Sequence, residues 1–442
     1  MTTKVNNRMI DGAAVNVKDF GAVGDGVADD TAALKAAVSS LQDGDTLYLG
    51  NKHRIRVTDR TDPRFEQTSA FFSEASNIRI IGPCEITQED NGENVSNLFL
   101  FLNPENVYVE NVSFIGYGDH IDDATSNLYS GYLLGSEGVH KNFGIIGCNV
   151  TNGLGGIRSW YDNPDPTEKP NENLVVQDCL FNNVRYPLIA TDTQGITANF
   201  TALGVHRAVF AWNCDGGNFE YTVANCFPSL LRLTDNCSNM YTDINHIRDT
   251  GSRLVPEDNY SNNIQLAPTG DPVGVDMTNI DININSNAPI SAIDLSKSTD
   301  SNYKNVSLTG KVTMLRTNEA AIFLGNNTAD DTYQNLKVDL DVDVTDPGDG
   351  SGSGVYVAYI QYADIANVRM NIRNQQAGGR GLRLIGCDKT FVYGTYHTPS
   401  VGLRFTGMGS SVLTGHIFSD SVGGILRDDP QGANDTVVAT VY

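Results

Sequence analysis

Short runs of alternating apolar and polar residues follow one another along most of the chain. Many begin at a polar turn residue, usually asparagine, as in NIRIIG from Asn77, NVYVENVSFIG from Asn106 and NLVVQDCLFNN from Asn173. Alternation of this kind predicts β-strands with one face buried. A helical period appears near the start, where two aspartates precede TAALKAAVSSL, so residues 29–41 are predicted to form an amphipathic helix.

The strand pattern repeats. Turn residues recur at intervals that cluster at 21 to 25 residues, and longer intervals, up to 40, contain the same unit with an inserted loop. In the middle of the chain the predicted turn residues are Gly195, Asn218 and Asn239. Repeats of this size are typical of solenoids, in which stacked coils bury a continuous core. The pattern therefore predicts an all-β fold, a parallel β-helix whose coils stack at about 4.8 Å.

The predicted organisation is one long domain after a short arm. The arm covers residues 1–16 and the β-helix covers residues 17–442, with residues 29–41 as a helix that caps the open first coil and with coils from about residue 45 to the C-terminus. Loop insertions are predicted near residues 117–131, 160–172, 249–276 and 345–354.

Two side-chain pairs test the register of the repeat. Cys148 and Cys179 each lie six residues after a turn asparagine, which places both in one interior column. On the outer surface, the register predicts a column in which Asp341 pairs with Arg373, although an ordinary solvated face would give the same pattern.

A second strand precedes each turn, and four copies read GIRSWYD, PLIATD, VFAWN and LRLTD. Aligning them predicts three adjoining outward columns. These are Arg158, Ile189, Phe210 and Arg232; Trp160, Thr191, Trp212 and Thr234; and Tyr161, Asp192, Asn213 and Asp235. Both tryptophans of the chain fall in one column, two coils apart.

These columns predict a sugar-binding site. Aromatic faces pack on the apolar faces of pyranose rings, and polar groups bind the hydroxyls. The predicted substrate-binding residues are Trp160, Trp212, Tyr161, Arg158, Arg232 and Asn213. The alternative is that the aromatic residues pack in a subunit interface or under the loop that follows residue 160.

Hydrolysis of a glycosidic bond needs two carboxylates, about 6.5–9.5 Å apart in an inverting enzyme. Asp192 and Asp235 lie two coils apart, so their backbones are separated by about 9.6 Å, and Asp215 at the intervening turn could replace either. The inserted loop adds further acids, and a lyase would need a base instead. The loop acids are Asp162, Asp165 and Glu168, and the lyase candidates are His246, Arg248, Asp119 and His120.

Charge and composition exclude several classes of partner. The formal net charge of −23 argues against nucleic acid and anionic membranes, which would repel the chain. No apolar stretch is long enough for membrane insertion, and the first residues have no apolar signal segment. Seven cysteines without a CxxC pair indicate buried free thiols. No residue spacing indicates a metal site or another cofactor.

The segment from Val17 to Thr31, VKDFGAVGDGVADDT, resembles the opening motif of the pectate-lyase superfamily of right-handed β-helices. The residues before it, NNRMIDGAAV, resemble the lead-in of phage tailspikes and tail-associated depolymerases. The resemblance implies a right-handed solenoid, a homotrimer, a carbohydrate ligand, and assembly in the host cytoplasm with other virion tail proteins before action outside the cell. It carries over no catalytic residue.

The resulting hypothesis is a phage tailspike-like protein that recognises and hydrolyses a bacterial surface polysaccharide, either capsule or O-antigen, during host attachment. The alternatives are a protein that binds polysaccharide without cutting it, a purely structural component of the virion tail, and a polysaccharide lyase.

Overall fold

The computed structural model divides into two compact units, residues 1–221 and 222–442. The described residues are 14–57, 69–90, 96–117, 131–160, 169–247, 263–266, 276–290, 292–296, 302–314, 322–325, 333–344, 356–361, 363–374, 379–398, 401–406, 412–419, 425–427 and 436–441. Most residues of the predicted insertions lie outside this set. Part of one is a strand, because Asn263–Leu266 pairs with neighbours on both sides.

Among its described residues the first unit contains one α-helix, α1 (Thr31–Ser39), and one 3-10 helix (Val17–Phe20). Its strands are β1 (Val15–Asn16), β2 (Asp25–Asp29), β3 (Thr46–Tyr48), β4 (Lys52–Ile55), β5 (Ser69–Ser73), β6 (Arg79–Gln88), β7 (Asn97–Leu102), β8 (Glu105–Ile115), β9 (Tyr132–Glu137), β10 (Lys141–Ile146), β11 (Asn149–Thr151), β12 (Gly155–Trp160), β13 (Asn171–Val184), β14 (Tyr186–Thr191) and β15 (Thr193–Trp212).

The boundary between the units falls within β16 (Asp215–Thr234). The strands of the second unit that follow are β17 (Ser238–His246), β18 (Asn263–Leu266), β19 (Asp276–Ile290), β20 (Ala292–Ser296), β21 (Asn302–Met314), β22 (Ile322–Gly325), β23 (Tyr333–Val344), β24 (Tyr356–Gln361), β25 (Ala363–Asn374), β26 (Arg380–Ile385), β27 (Phe391–Thr398), β28 (Leu403–Thr406), β29 (Val412–Ser419), β30 (Ile425–Arg427) and β31 (Thr436–Val441).

Stacked parallel strands build both units, so the predicted right-handed parallel β-helix is confirmed. Equivalent residues of successive coils lie side by side. Val109 pairs with Ile145, Ile145 with Val176, and Val176 with Ala198, and all four are almost completely buried. Cys148 and Cys179 follow the same register one residue before the pair Asn149–Leu180, and both are buried as predicted.

The predicted capping helix forms and buries four apolar residues, Ala33, Leu34, Ala37 and Val38, although it is shorter than the predicted range 29–41. Asp30 is at its N-cap position but makes no capping hydrogen bond. The Asp30 carboxylate turns back instead and accepts from the N–H groups of Val23 and Gly24 and from His53.

Asparagines at the turns form hydrogen-bonded ladders. In the first unit Asn173 donates to Asn142, Asn142 to Asn106, and Asn106 to Asn77, with N···O distances of 2.6–2.8 Å. All four have φ between 51° and 56°, a left-handed conformation that asparagine adopts more readily than most residues. The second unit repeats the ladder through Asn239, Asn279, Asn305 and Asn335.

Two predicted positions are wrong. The left-handed turn residue after Gly195 is Gly216, at φ 72°, and not Asn218, which lies within β16. In the second unit Asp341 pairs with Asn371, whereas Arg373 pairs with Asp343. The observed register of these two strands is shifted by two residues from the predicted one. The Nε of Arg373 lies 2.6 Å from the Asp343 carboxylate.

Candidate functional site

The outer surface of the first unit carries the predicted columns over β9, β12, β14 and β15. Arg158 pairs with Ile189, and Ile189 with Phe210, as the aligned strands predicted. Two residues farther along, Thr191 pairs with Trp212, and the same register places Trp160 beside Thr191.

The two tryptophans meet. Their ring centroids are 6.2 Å apart and the rings are inclined at 66°, an edge-to-face arrangement. Thr191 between them is short and 1% exposed, which leaves room for the larger rings to approach above it. Both tryptophans remain partly exposed.

Trp160 also covers an apolar cluster outside the coil. Ile189, Tyr132 and Leu154 are buried in this cluster, and Trp160, Tyr186 and Phe210 pack against it. Trp160 therefore contributes to packing as well as to the surface. Trp212 is not part of this cluster.

Three arginines surround these rings. The guanidinium carbon of Arg158 lies 4.9 Å from the ring centroid of Trp160, and those of Arg185 and Arg207 lie 5.4 and 5.6 Å from that of Tyr186. Arg207 also donates to the Tyr186 hydroxyl at 3.1 Å. These distances are those of cation–π contacts.

We call this surface the arginine–aromatic face, and its members are Arg158, Trp160, Arg185, Tyr186, Arg207, Phe210 and Trp212. Within the described part of the chain, no carboxylate forms an ion pair with Arg158 or Arg207. On a chain with a formal charge of −23, the face is therefore a local concentration of positive charge.

His206 packs edge-on against Tyr186, with centroids 5.7 Å apart. Burial, together with the positive charges of Arg207 and Arg185, lowers the pKa of His206 to about 4. The ring is therefore neutral at pH 7, and the positive charge of the face comes from the guanidinium groups.

The third predicted column does not face solvent. Asp192, Asn213 and Asp235 adopt left-handed turn conformations, with φ of 49°, 53° and 55°. Their exposures are 7%, 2% and 7%, and Asn213 Nδ2 donates to Asp192 Oδ1 at 2.5 Å. The strand ends before this column, so the side chains fold over the turn instead of continuing the alternation. Their predicted catalytic and binding roles stay predictions.

The remaining predicted site residues are divided between the units. Asp215 is a half-buried residue at the start of β16 in the first unit, and half-buried Arg232 belongs, with Asp235, to the second. Tyr161 and the loop acids Asp162, Asp165 and Glu168 lie outside the described residues, as do the lyase candidates Arg248, Asp119 and His120.

His246, the remaining lyase candidate, is 1% exposed, and its Nδ1 lies 2.9 Å from the Ser286 hydroxyl. Burial lowers the pKa of His246 to about 4. Its surroundings are those of a structural histidine, out of reach of a polymer outside the coil.

The sequence analysis missed one carboxylate next to the arginine–aromatic face. Glu137 pairs with Trp160 in the register of β9 and β12 and is half-buried. Its strand, YLLGSE, follows a predicted insertion, so it was not aligned with the others. Extending the column of Trp160 back by one coil would have found it.

Among the described residues, no group of three or more histidine, cysteine, aspartate or glutamate side chains is placed to hold a metal ion. Nor does any described helix have the length and apolar character needed to cross a membrane.

Comparison with known proteins supports the resemblance seen at the start of the chain. Residues 14–51 match the family model "Rhamnogalacturonase A/epimerase, pectate lyase-like". A curated relative, mannuronan C5-epimerase AlgE1 of Azotobacter vinelandii, is 26% identical over 216 residues. That match covers 46% of this chain and 14% of the relative, so this chain spans a small part of the curated relatives that it matches.

Two solved structures are similar. The A-module of mannuronan C-5 epimerase AlgE6 of Azotobacter vinelandii is 13% identical, with 97% of this chain and 99% of that chain covered and a TM-score of 0.45. Tailspike protein 3 of bacteriophage CBA120 is 12% identical, with 97% and 59% covered and a TM-score of 0.29. The chain is thus a parallel β-helix protein whose opening segment is pectate lyase-like.

Proposed function

We propose that the chain binds a bacterial surface polysaccharide on the arginine–aromatic face and cleaves it. The observation that carries this proposal is the pair Trp160–Trp212, whose partly exposed rings lie 6.2 Å apart beside guanidinium groups. Partly exposed aromatic rings offer apolar surface to sugar rings, and arginines offer several hydrogen-bond donors each.

The charge of the face favours an acidic polysaccharide. Arginine binds carboxylates in a two-pronged geometry, and Arg158 and Arg207 have no carboxylate partner among the described residues. The curated relative is named for mannuronan, a polymer of carboxylate-bearing sugars, which supports the same class of ligand.

Hydrolysis would use two carboxylates, one protonating the leaving oxygen and one activating water or attacking the sugar. In the first unit Glu137 and Asp215 are half-buried, less deeply than Asp192, so each is a further candidate for one of the two acids. Asp192 and Asp235 remain candidates, although each is 7% exposed. This burial favours binding without cleavage as the second candidate function.

The direct test is to incubate the protein with mannuronan and with a panel of bacterial capsules and O-antigens. Hydrolysis releases reducing ends, a lyase produces an unsaturated uronate that absorbs ultraviolet light, and an epimerase changes the NMR spectrum without cutting the chain. Binding without any product would establish the second candidate, and the absence of binding would contradict both.

Single substitutions identify the carboxylates. Replacing a catalytic acid by its amide keeps the shape but removes the transferable proton, so cleavage should be abolished while binding is kept. The variants are Glu137→Gln, Asp215→Asn, Asp192→Asn and Asp235→Asn. If all four cut normally, none of them is a catalytic acid, and the loop acids Asp162, Asp165 and Glu168 become the next candidates.

We further propose that the protein acts as a homotrimer in a phage tail, alongside other virion tail proteins. The support is the resemblance of the residues before Val17 to the lead-in of tailspikes. Light scattering at micromolar concentration should give three times the chain mass of 47.8 kDa. A monomeric mass would contradict the trimer without affecting the proposed binding face.

A further inference from the structure

The second unit presents a separate polar surface on six strands that lie side by side in the stack of coils, β17, β19, β21, β23, β25 and β27. Their outward residues stack in register across every pair of neighbours. The central columns are Asp243, Asn283, Thr309, Asp339, Arg369 and Tyr393, and Asn245, Asn285, Lys311, Asp341, Asn371 and Thr395. We call this surface the polar sheet face.

Side chains bridge the strands at both ends of this face. At one end Asn283 Nδ2 donates to Asp243 at 3.2 Å, and the Thr309 hydroxyl donates to Asn283 Oδ1 at 3.3 Å. At the other end Arg369 and Asn371 donate to the carboxylates before them. Their N···O distances to Asp339 and Asp341 are 2.5 and 2.7 Å. These bonds hold the side chains in place before any ligand arrives.

The bridging stops between β21 and β23. In the described part of the chain, no hydrogen bond or ion pair joins Thr309 or Lys311 to Asp339 or Asp341, although they are register partners. A depression of about 430 Å³ lies here, and its polar lining includes Asn285, Thr309, Lys311, Asp339, Asp341 and Arg369.

Gly310 belongs to the lining of the depression, where its strand runs close to the backbone of Ile284. Its φ is 122°, and a Cβ there would lie 2.0 Å from the carbonyl oxygen of Ile284. Any side chain at this position would collide with the neighbouring backbone, so glycine lets the strand approach its neighbour closely.

The depression offers donors and acceptors together. Lys311 and Asn285 are exposed and form no hydrogen bond or ion pair with another described residue. The carboxylates of Asp339 and Asp341 accept from β25 and have lone pairs left. The two cations, Lys311 and Arg369, balance the two anions, so the local formal charge is zero.

From this arrangement we propose that the depression around Gly310 is a second carbohydrate site, which binds a neutral, hydroxyl-rich saccharide. A hydroxyl both donates and accepts, so neighbouring hydroxyls satisfy an ammonium, an amide and carboxylates at once. An ionic ligand would meet a like charge in this balanced set, whereas a neutral sugar would not. The proposal is independent of the arginine–aromatic face, which carries unbalanced positive charge.

Saturation-transfer NMR on the full chain tests the site with maltohexaose, mannohexaose and cellohexaose at millimolar concentration. We expect at least one to bind. Lys311→Ala and Asn285→Ala should each weaken that binding about tenfold, the loss expected when one hydrogen bond to the ligand is removed. Lys337→Ala is the matched control, an exposed lysine one coil away that does not line the depression, and it should leave binding unchanged.

Trp212→Ala separates the two sites, because it lies in the first unit and should not alter hexasaccharide binding. The site is refuted if none of the three hexasaccharides binds. It is equally refuted if Lys311→Ala behaves like Lys337→Ala, or if the tryptophan variant abolishes the binding. None of these results bears on the binding of an acidic polymer to the first unit.

Discussion

At the scale of single residues, a buried histidine ties stability to pH. His140 is 0% exposed, and burial lowers its pKa from the ordinary value of 6.5 to about 3. Below pH 6.5 this histidine binds a proton in the unfolded chain but stays neutral in the folded chain. The free energy of unfolding therefore falls with acidification, by about 1.4 kcal/mol for each pH unit per such group.

We expect urea unfolding to show this loss between pH 6.5 and pH 5, and His140→Gln to reduce it. His206 and His246 have pKa values lowered to about 4 and act in the same direction, so part of the loss should remain. An unchanged pH dependence in the variant would show that His140 titrates alike in both states.

Only part of the candidate site could be predicted from the sequence. The common column of Trp160 and Trp212 followed from aligning the alternating strands, because period-two strands place every second side chain outside. The burial of Asp192 and Asn213 could not be foreseen in this way. It depends on their left-handed conformation, which breaks the alternation and is not visible in an apolar–polar pattern.

At the scale of elements, the asparagine ladder holds the turns of successive coils together. Asn142 both donates to Asn106 and accepts from Asn173, while its own backbone is left-handed. Asn142→Ala loses both hydrogen bonds and adds the cost of a left-handed alanine, about 1–2 kcal/mol. Each lost hydrogen bond costs about 1 kcal/mol.

Asn142→Gly is the matched control, since glycine adopts this conformation without strain. The chain itself has glycine at the equivalent turns, Gly195 and Gly216. Denaturant unfolding should therefore rank the wild type above Asn142→Gly, and that variant above Asn142→Ala. Equal stability of the two variants would mean that the left-handed conformation at this turn does not destabilise alanine relative to glycine.

The opening motif is fixed by a buried contact between a histidine and an aspartate. His53 Nδ1 lies 2.7 Å from Asp30 Oδ2, and both side chains are at most 1% exposed. The other ring nitrogen faces the carbonyl oxygens of Gly50 and Leu49 at 2.8 and 3.1 Å. Both ring nitrogens therefore lie within hydrogen-bonding distance of an oxygen, which ties the ring to Asp30 and to the turn before it.

His53→Ala should therefore lower the free energy of unfolding by about 1–3 kcal/mol, the cost of leaving a buried hydrogen-bonding group without its partner. Chemical denaturation measures this loss. Lys52→Ala is the control, because its pair with Glu85 is exposed and should be worth less than about 1 kcal/mol. Similar losses in the two variants would contradict a structural role for the pair.

Element boundaries could be predicted only in part. The helix from Thr31 to Ser39 and the coil repeat followed from periodicity, since both depend on where apolar residues recur. The role of Asp30 did not, because capping of the following helix is the commoner use of an aspartate there. Its contact with His53 joins residues 23 positions apart and exists only once the first coil has closed.

At the scale of the whole molecule, charge is distributed unevenly. The chain carries a formal charge of −23, yet three arginines converge on the aromatic rings of the first unit. Acidic residues elsewhere repel anions from the rest of the surface. An acidic polysaccharide is then expected to bind where guanidinium groups and rings occur together, and salt should weaken that binding.

Affinity of the full chain for mannuronan, compared between the wild type and Trp212→Ala, tests the central claim most directly. Trp212 lies outside the buried apolar cluster and is partly exposed, so its removal leaves no core cavity and the variant should remain folded. Binding should weaken by about 1–3 kcal/mol, the loss typical of an aromatic ring that stacks on its ligand. An unchanged affinity, with wild-type protein that binds, would contradict the arginine–aromatic face as the polysaccharide site.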